Sequence, residues 1–244
     1  MQNKKQKQIE KAKAHKLLLA NVKAKRRGEP IIQRKAPELF EKPIILIYCE
    51  GVNTEPSYFN KYKLTSMDVK SFGEGRNTLS LVERAKTISE KKNYDQIWCV
   101  FDTDPKPDNP KQLENFNSAV SQAKKYGFGV AYSNQAFEYW LILHFEDHQG
   151  GAMDRKEYGK KINAYINEMG VHYDYNGDKL VSQDLFDLLN TEVKTDRDGN
   201  KFTRTDIAIS RAERNQEQLD NNNPGKEESS TTVHDLVKIL LEYN

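Results

Sequence analysis

Ile44-Ile45-Leu46-Ile47-Tyr48-Cys49-Glu50-Gly51 and Ile97-Trp98-Cys99-Val100-Phe101-Asp102-Thr103-Asp104 are the two stretches that decide the fold. Each is a short apolar run that ends in acid. Runs of this length, rich in aromatic and β-branched residues, read as strands buried on both faces, as in a parallel sheet. Ligands of open α/β sheets sit just beyond the carboxyl ends of the strands. Glu50, Asp102 and Asp104 would all be delivered there. Three carboxylates in one place repel one another unless they are protonated or bridged by a cation. A hard divalent ion such as Mg2+ or Mn2+ is the simplest remedy, because it takes carboxylate oxygens and commonly a substrate phosphate as well. The pattern implies metal-assisted chemistry on a phosphodiester.

Working outward, the Glu50-Gly51 turn leads into a helix from about Thr54, with Thr54 as a cap and Glu55 and Pro56 suited to the first turn. Met67 to Phe72 alternates as a second strand that Gly73 and Gly75 end, and a helix follows over 78–91. The third strand, 97–101, precedes a Pro-rich loop at 105–110 and a helix near 111–125. Gly127 closes that helix, and a fourth strand spans Phe128 to Tyr132. This β-α-β-α-β-α-β order predicts an α/β fold with a mostly parallel four-stranded sheet flanked by helices. Residues 136–145 are apolar on nearly every face and predict a buried helix. After Gly150-Gly151, polar helices are expected near 154–169, 182–190, 204–219 and 232–243, with loose loops at 191–203 and 220–230. The expected organisation is a basic arm and linker over 1–42, an α/β domain over 43–150, and a helical extension over 151–244 packed on the sheet.

Among 244 residues, the first 35 carry 12 Lys/Arg against Glu10 and Glu29 alone, whereas the remainder carries 26 basic and 34 acidic residues. A Lys/Ala-rich helix over 5–27, with an apolar patch at Leu17, Leu18 and Leu19, precedes a linker marked by Pro30 and Pro37. A basic arm ahead of a mildly acidic body suits contact with nucleic acid or another polyanion, and suits a solvating tail equally. No apolar run is long enough to cross a membrane, and the charged amino terminus lacks the apolar region of a secretory signal. A cytoplasmic location is expected. The two cysteines, Cys49 and Cys99, fall inside strands and read as buried thiols.

The candidate residues differ in weight. Glycine after Glu50 allows a tight turn and leaves the carboxylate uncovered, although an acid capping the next helix explains Glu50 alone just as well. Asp102-x-Asp104 can turn both carboxylates to one side for one or two metals; an Asx-turn is the structural alternative. Glu138, in an otherwise apolar helix, needs a metal, an arginine or a substrate to justify its burial. Ser133 and Asn134, just beyond the fourth strand, are candidate substrate contacts along with Gly51. Arg204 and Arg211, seven apart on one helix face with Arg214 beside them, are candidate phosphate holders. His144 reads as a core histidine. No His/Cys spacing suggests zinc, no nucleophile triad is present, and no P-loop predicts ATP hydrolysis by this chain.

Glu-Gly after the first strand and Asp-x-Asp after a later one resemble the Toprim domain. A closer resemblance is to the RloB-like family of bacterial defence proteins. It is carried by Ile47-Tyr48-Cys49-Glu50-Gly51-x-x-Thr54-Glu55-Pro56-x-Tyr58-Phe59, by Phe101-Asp102-Thr103-Asp104, and by Ser133-Asn134-x-x-Phe137-Glu138-x-Trp140-Leu141-x-Leu143-His144-Phe145, with Thr232-Val233-His234-Asp235-Leu236-Val237 near the end. The resemblance implies a Toprim nuclease of abortive infection that works with an RloA-like ATPase. It would make Glu50 a general acid/base or metal ligand and Asp102 and Asp104 ligands of Mg2+ or Mn2+, and would place Glu138 in the family's own block. Some Toprim domains carry a further acid after Asp-x-Asp, which Asp108 matches only loosely.

Two classes of function therefore compete. One is metal-dependent cleavage of DNA or RNA, by a chain that can also assemble with itself. The other is a non-catalytic module that binds a polyanion or an ATPase and uses its acids for structure. A topoisomerase is disfavoured by size. A haloacid-dehalogenase-type phosphatase is disfavoured because Lys106 stands where that motif wants threonine.

Overall fold

The computed structural model describes residues 7, 10–20, 42–71, 78–105, 111–149, 151, 153–219 and 223–243. The chain divides into two units, Met1–Glu41 and Lys42–Asn244. In the first, residues 10–20 form a helix, α1, whose Leu17, Leu18 and Leu19 are exposed. Apart from residue 7, the rest of the helix expected over 5–27, together with Pro30, Pro37, Gly73, Gly75, most of the 105–110 loop and Asp108, lies outside the described residues.

In the second unit, β1 (Ile45–Cys49), β2 (Met67–Ser71), β3 (Gln96–Asp102) and β4 (Gly129–Ser133) form one sheet of order β2-β1-β3-β4. Every pair in it is parallel. The crossovers are helices: α2 (Thr54–Phe59, continued by a 3-10 turn over Asn60–Tyr62), α3 (Thr78–Ser89) and α4 (Lys111–Lys125). Side chains alternate between faces along each strand. Tyr48, Cys99, Phe101 and Tyr132 face α3 and α4, while Ile45, Ile47, Cys49, Val100 and Ala131 face the opposite way. This parity settles the cysteines. Tyr48 pairs with Cys99 and Cys49 with Val100, so the two thiols are neighbours by strand yet sit on opposite faces, both free.

The second face carries α5 (Glu138–Leu143), α6 (Arg155–Ile166), α7 (Gln183–Leu189), α8 (Arg204–Glu217) and α9 (Val233–Tyr243). All six residues of α5 are buried, as a helix without a polar side requires. It packs on α6 and α8, and Trp140 at its centre is fully enclosed. One continuous cluster joins Ile45 and Ile47 of the sheet to Tyr158, Ile162, Leu185, Leu236 and Leu240. The helices beyond residue 151 thus share the sheet's own core. No described helix is long and apolar enough to cross a membrane.

Three local expectations need correction. The segment 191–203 is an antiparallel hairpin of β5 (Glu192–Thr195) and β6 (Lys201–Thr203), not a loose loop. Asp196 accepts the amides of Asp198 and Asn200 at 2.9 and 2.8 Å, and Gly199 takes a φ of 87° to close the turn. Of the expected loop at 220–230, Glu227, Ser229 and Ser230 are buried: Glu227 accepts the Tyr132 hydroxyl of β4 at 2.8 Å, the Ser230 carbonyl accepts the Asn134 amide, and Ser229 meets His148 and Gly151. Finally, α2 starts at Thr54 without a side-chain cap, and the Thr54 hydroxyl instead lies 3.4 Å from that of Tyr173.

Candidate functional site

The sheet itself brings the first two acids together. The Glu50 amide donates to the Val100 carbonyl at 2.8 Å, which extends the β1–β3 pairing one residue past β1. Glu50 Oε2 then accepts the Asp102 amide at 3.3 Å. Thr103 turns the other way: its amide donates to the Ser133 carbonyl, and its buried hydroxyl accepts the Gln135 amide at 2.7 Å. Pinning the middle residue of Asp102-Thr103-Asp104 to β4 leaves the two flanking aspartates free to share a side. Asp104 follows with a φ of 34°, a conformation sparsely used by non-glycine residues and tolerated best by Asp and Asn. Its Oδ1 is ion-paired with Arg155, the first residue of α6.

Two more acids enter from helices. Glu138 opens α5 and is buried; its Oε1 accepts the Tyr173 hydroxyl at 2.9 Å and lies 3.8 Å from Lys179 Nζ. Glu55, in the first turn of α2, is buried as well and accepts the Gly51 amide at 3.3 Å. A Cβ at position 51 would stand 2.3 Å from Glu55 Oε2, so only glycine lets this carboxylate approach. Glu50, Glu55, Asp102, Asp104 and Glu138 line one cavity of about 320 Å3 with Gly51, Thr54, Phe137, Arg155 and Lys179. Five carboxylates face two cations. The cavity lies at the carboxyl ends of β1 and β3, the position ligands take in open parallel sheets.

That crowding is written in the acidities. Burial, then the charges of Glu55, Glu138 and Glu50, pushes the Asp102 carboxyl well above the ordinary carboxylate range, with Arg155 opposing. Burial raises Glu55 too, with Glu138 adding to it and backbone amides opposing. Burial alone would lower the Arg155 guanidinium, yet Asp104 and Asp102 together hold it above its usual value. As arranged, no group of three or more His, Cys, Asp or Glu among the described residues stands ready to hold a metal ion. Asp104 is committed to Arg155, and Glu138 to Tyr173 and Lys179. The donor chemistry nevertheless suits a hard divalent cation, since every acid of the cavity offers carboxylate oxygens.

The remaining sequence candidates lie elsewhere. Ser133 Oγ meets Thr231 Oγ1 at 3.0 Å, and Asn134 donates to the Glu227 carbonyl at 2.7 Å. Both are buried in the seam between β4 and the chain before α9, and neither lines the cavity. Arg211 donates to the Leu143 carbonyl at the end of α5, Arg204 lies over the Phe145 ring, and Arg214 pairs with Asp147. These arginines brace α8 against the end of α5. His144 is a core residue, its Nδ1 3.0 Å from the Trp140 carbonyl. Glu55, Arg155, Lys179 and Tyr173 were not among the expected site residues. Glu55 alone had a local signal, an acid in the same short turn as Glu50-Gly51; the other three are brought in by folding from beyond residue 150.

No curated protein and no solved structure matches the chain. The family model described as RloB-like protein matches residues 45–240, from β1 into α9 and across every carboxylate of the cavity, and on that extent the chain belongs to the RloB-like family.

Proposed function

We propose that the chain is a divalent-metal-dependent nuclease that cleaves phosphodiester bonds of DNA or RNA, acting in bacterial defence by abortive infection with an RloA-like ATPase as partner. The observation that carries this reading is the convergence of Glu50, Asp102 and Asp104 from two adjacent parallel strands on one cavity. Family membership supports the defence context.

Glu50, Asp102 and Asp104 would hold Mg2+ or Mn2+, with Asp104 exchanging Arg155 for the ion. Such an ion supplies charge neutralisation at the phosphate and acidifies water. The chain's own residues do the rest. Arg155 and Lys179 reach the same cavity, so a phosphodiester entering it meets two cations that can hold its oxygens. Tyr173 fixes the Glu138 carboxylate, which then stands as a hydrogen-bond acceptor at the cavity wall. The lowered acidity of Asp102 and Glu55 means that, without a divalent ion, the site favours holding protons, which metal binding would release.

A second reading has its own support. The Arg155–Asp104 and Lys179–Glu138 pairs partly neutralise the cavity, as expected of a non-catalytic module whose acids serve structure and whose surface binds a polyanion or an ATPase. Cleavage of plasmid DNA and of tRNA with Mg2+ or Mn2+, comparing the wild type with Asp102→Ala, alone and after co-expression with the partner ATPase, decides between them. Metal-dependent cleavage lost in the variant is the expected result. Equal cleavage by both proteins, or none even with the partner, overturns the nuclease.

A further inference from the structure

Arg155 stands where a divalent ion would place its charge. Its guanidinium pairs with Asp104 Oδ1, and against burial the charges of Asp104 and Asp102 together hold it above its usual pKa. These are the two aspartates of Asp102-Thr103-Asp104, so the chain's own cation occupies the field in which an ion would sit. Lys179 is placed differently. Its Nζ lies 3.8 Å from Glu138 Oε1, on a carboxylate that Tyr173 already holds at 2.9 Å and that belongs to neither strand end.

The helix that carries Arg155 supplies a second observation. Arg155 is the first residue of α6, and the turn is fixed by Asp154, whose side chain accepts the Lys156 amide at 2.9 Å. The amino end of a helix is the positive end of its dipole, which disfavours a cation and favours an anion. Arg155 is therefore held where its own helix opposes it and where an anion must offset both charges. Asp104 is that anion. With the two side chains 37% and 34% exposed, water reaches the pair, and it can exchange partners rather than being sealed in place. An Asp104 drawn to an ion would leave the guanidinium and the amino end of α6 together, facing the cavity and in need of another anion.

We infer that Arg155 is a switch with two anionic partners: it holds Asp104 until a divalent ion takes that carboxylate, and the released guanidinium then takes a phosphate oxygen of the substrate. This rests on the nuclease reading of the cavity and adds its regulation. Ion and substrate act on one ion pair, so whichever breaks it first spares the other that cost, and each strengthens the binding of the other by the same factor. Arginine suits the exchange because its planar fork matches carboxylate and phosphate alike.

The test reads metal binding rather than cleavage. Free Mn2+ is followed by electron paramagnetic resonance as it is titrated with the full chain, with and without excess dimethyl phosphate, a diester that resists hydrolysis. Wild type is compared with Arg155→Gln and Lys179→Gln. Without the diester, Arg155→Gln should bind Mn2+ at least about fivefold more tightly than wild type, the lower end of ordinary coupling between sites. Lys179→Gln removes the same charge from the same cavity and should gain less, which separates an exchanged partner from general repulsion. The diester should tighten Mn2+ binding in the wild type and do so less in Arg155→Gln. Arg155→Lys keeps the charge without the fork and should fall between the two, which carries the test if Arg155→Gln does not fold. Equal or weaker affinity in the Arg155 variants, or equal gains from Arg155→Gln and Lys179→Gln, overturns the switch and leaves the nuclease reading in place. Mn2+ binding that survives Asp102→Asn, or none by any of the proteins, overturns both.

Discussion

Two neighbouring strand ends of the same sheet are finished in opposite ways. Beyond β4, the polar residues close on one another. Ser133 meets Thr231, Thr231 Oγ1 donates to the Tyr132 carbonyl at 2.9 Å and accepts the Val233 amide, and Asn134 ties to Glu227 and Ser230. Most of these buried polar groups are satisfied from within, as in a structural seam, with Asn134 Oδ1 left without a hydrogen-bond partner. Beyond β1 and β3, the polar residues are like-charged carboxylates crowded around a cavity, with too few cations to match them. That arrangement costs stability, and the chain keeps it. The contrast teaches that a polar residue at a strand end says little until its partners are known: Ser133 and Asp102, paired across β3 and β4, serve opposite ends.

The sharpest way to break the comparison is to exchange the two kinds of loss. Asp102→Asn keeps shape and removes charge from the cavity; cleavage should fall on the order of 10^3-fold, the scale of removing one group that stabilises transition-state charge. The melting temperature in chelator should hold or rise, because the variant removes a carboxyl whose ionisation is opposed by burial and by three neighbouring acids. Thr231→Val does the reverse. It keeps volume and leaves the Val233 amide and the Ser133 hydroxyl short of a partner, while the Tyr132 carbonyl keeps the Thr232 amide; this should cost about 1–3 kcal/mol by urea unfolding, with activity per folded molecule retained. An Asp102→Asn that unfolds, or a Thr231→Val that folds as well as wild type and cleaves poorly, would erase the distinction between a working end and a sealed one.

How much of this was legible in the sequence follows from the range of the forces involved. The four strands and their crossover helices show in local pattern, because the central strands β1 and β3 are near-continuous apolar runs, the edge strand β2 alternates, and a buried helix such as 136–143 has no polar side. Glu50, Asp102 and Asp104 show because strand ends are predictable and acids at strand ends are conspicuous. The hairpin at 192–203 had a local signal too, Asp-Gly between short alternating runs, overshadowed by its charge. Arg155, Lys179 and Tyr173 gave none. Each sits in a polar stretch of ordinary composition, and only the packing of α6 and the segment after it against α5 carries them to the cavity. The reversed fate of Ser133 and Asn134 has the same origin: their partners come from residues 227–231, nearly 100 positions later.

The smallest expected effect concerns α5, which joins the two regimes: Glu138 at its start belongs to the cavity, and His144 just past its end belongs to the sealed core. Burial drives the His144 imidazole down to about 3 from its ordinary 6.5, against the help of the Trp140 and Leu141 carbonyls. The folded protein therefore keeps this ring neutral while the unfolded chain protonates it below pH 6.5. Stability from this group is complete above pH 6.5 and declines as the pH falls toward 3. Between pH 6.5 and 5.5 the loss is about 1 kcal/mol, or about 2–4 °C in melting temperature for a domain of this size. His144→Gln does not titrate, so its melting temperature should fall less steeply over that interval, with His234, also lowered by burial, accounting for part of what remains. Parallel curves for the two proteins would mean that His144 takes up its proton without unfolding, and that the end of α5 is open to water as the cavity is.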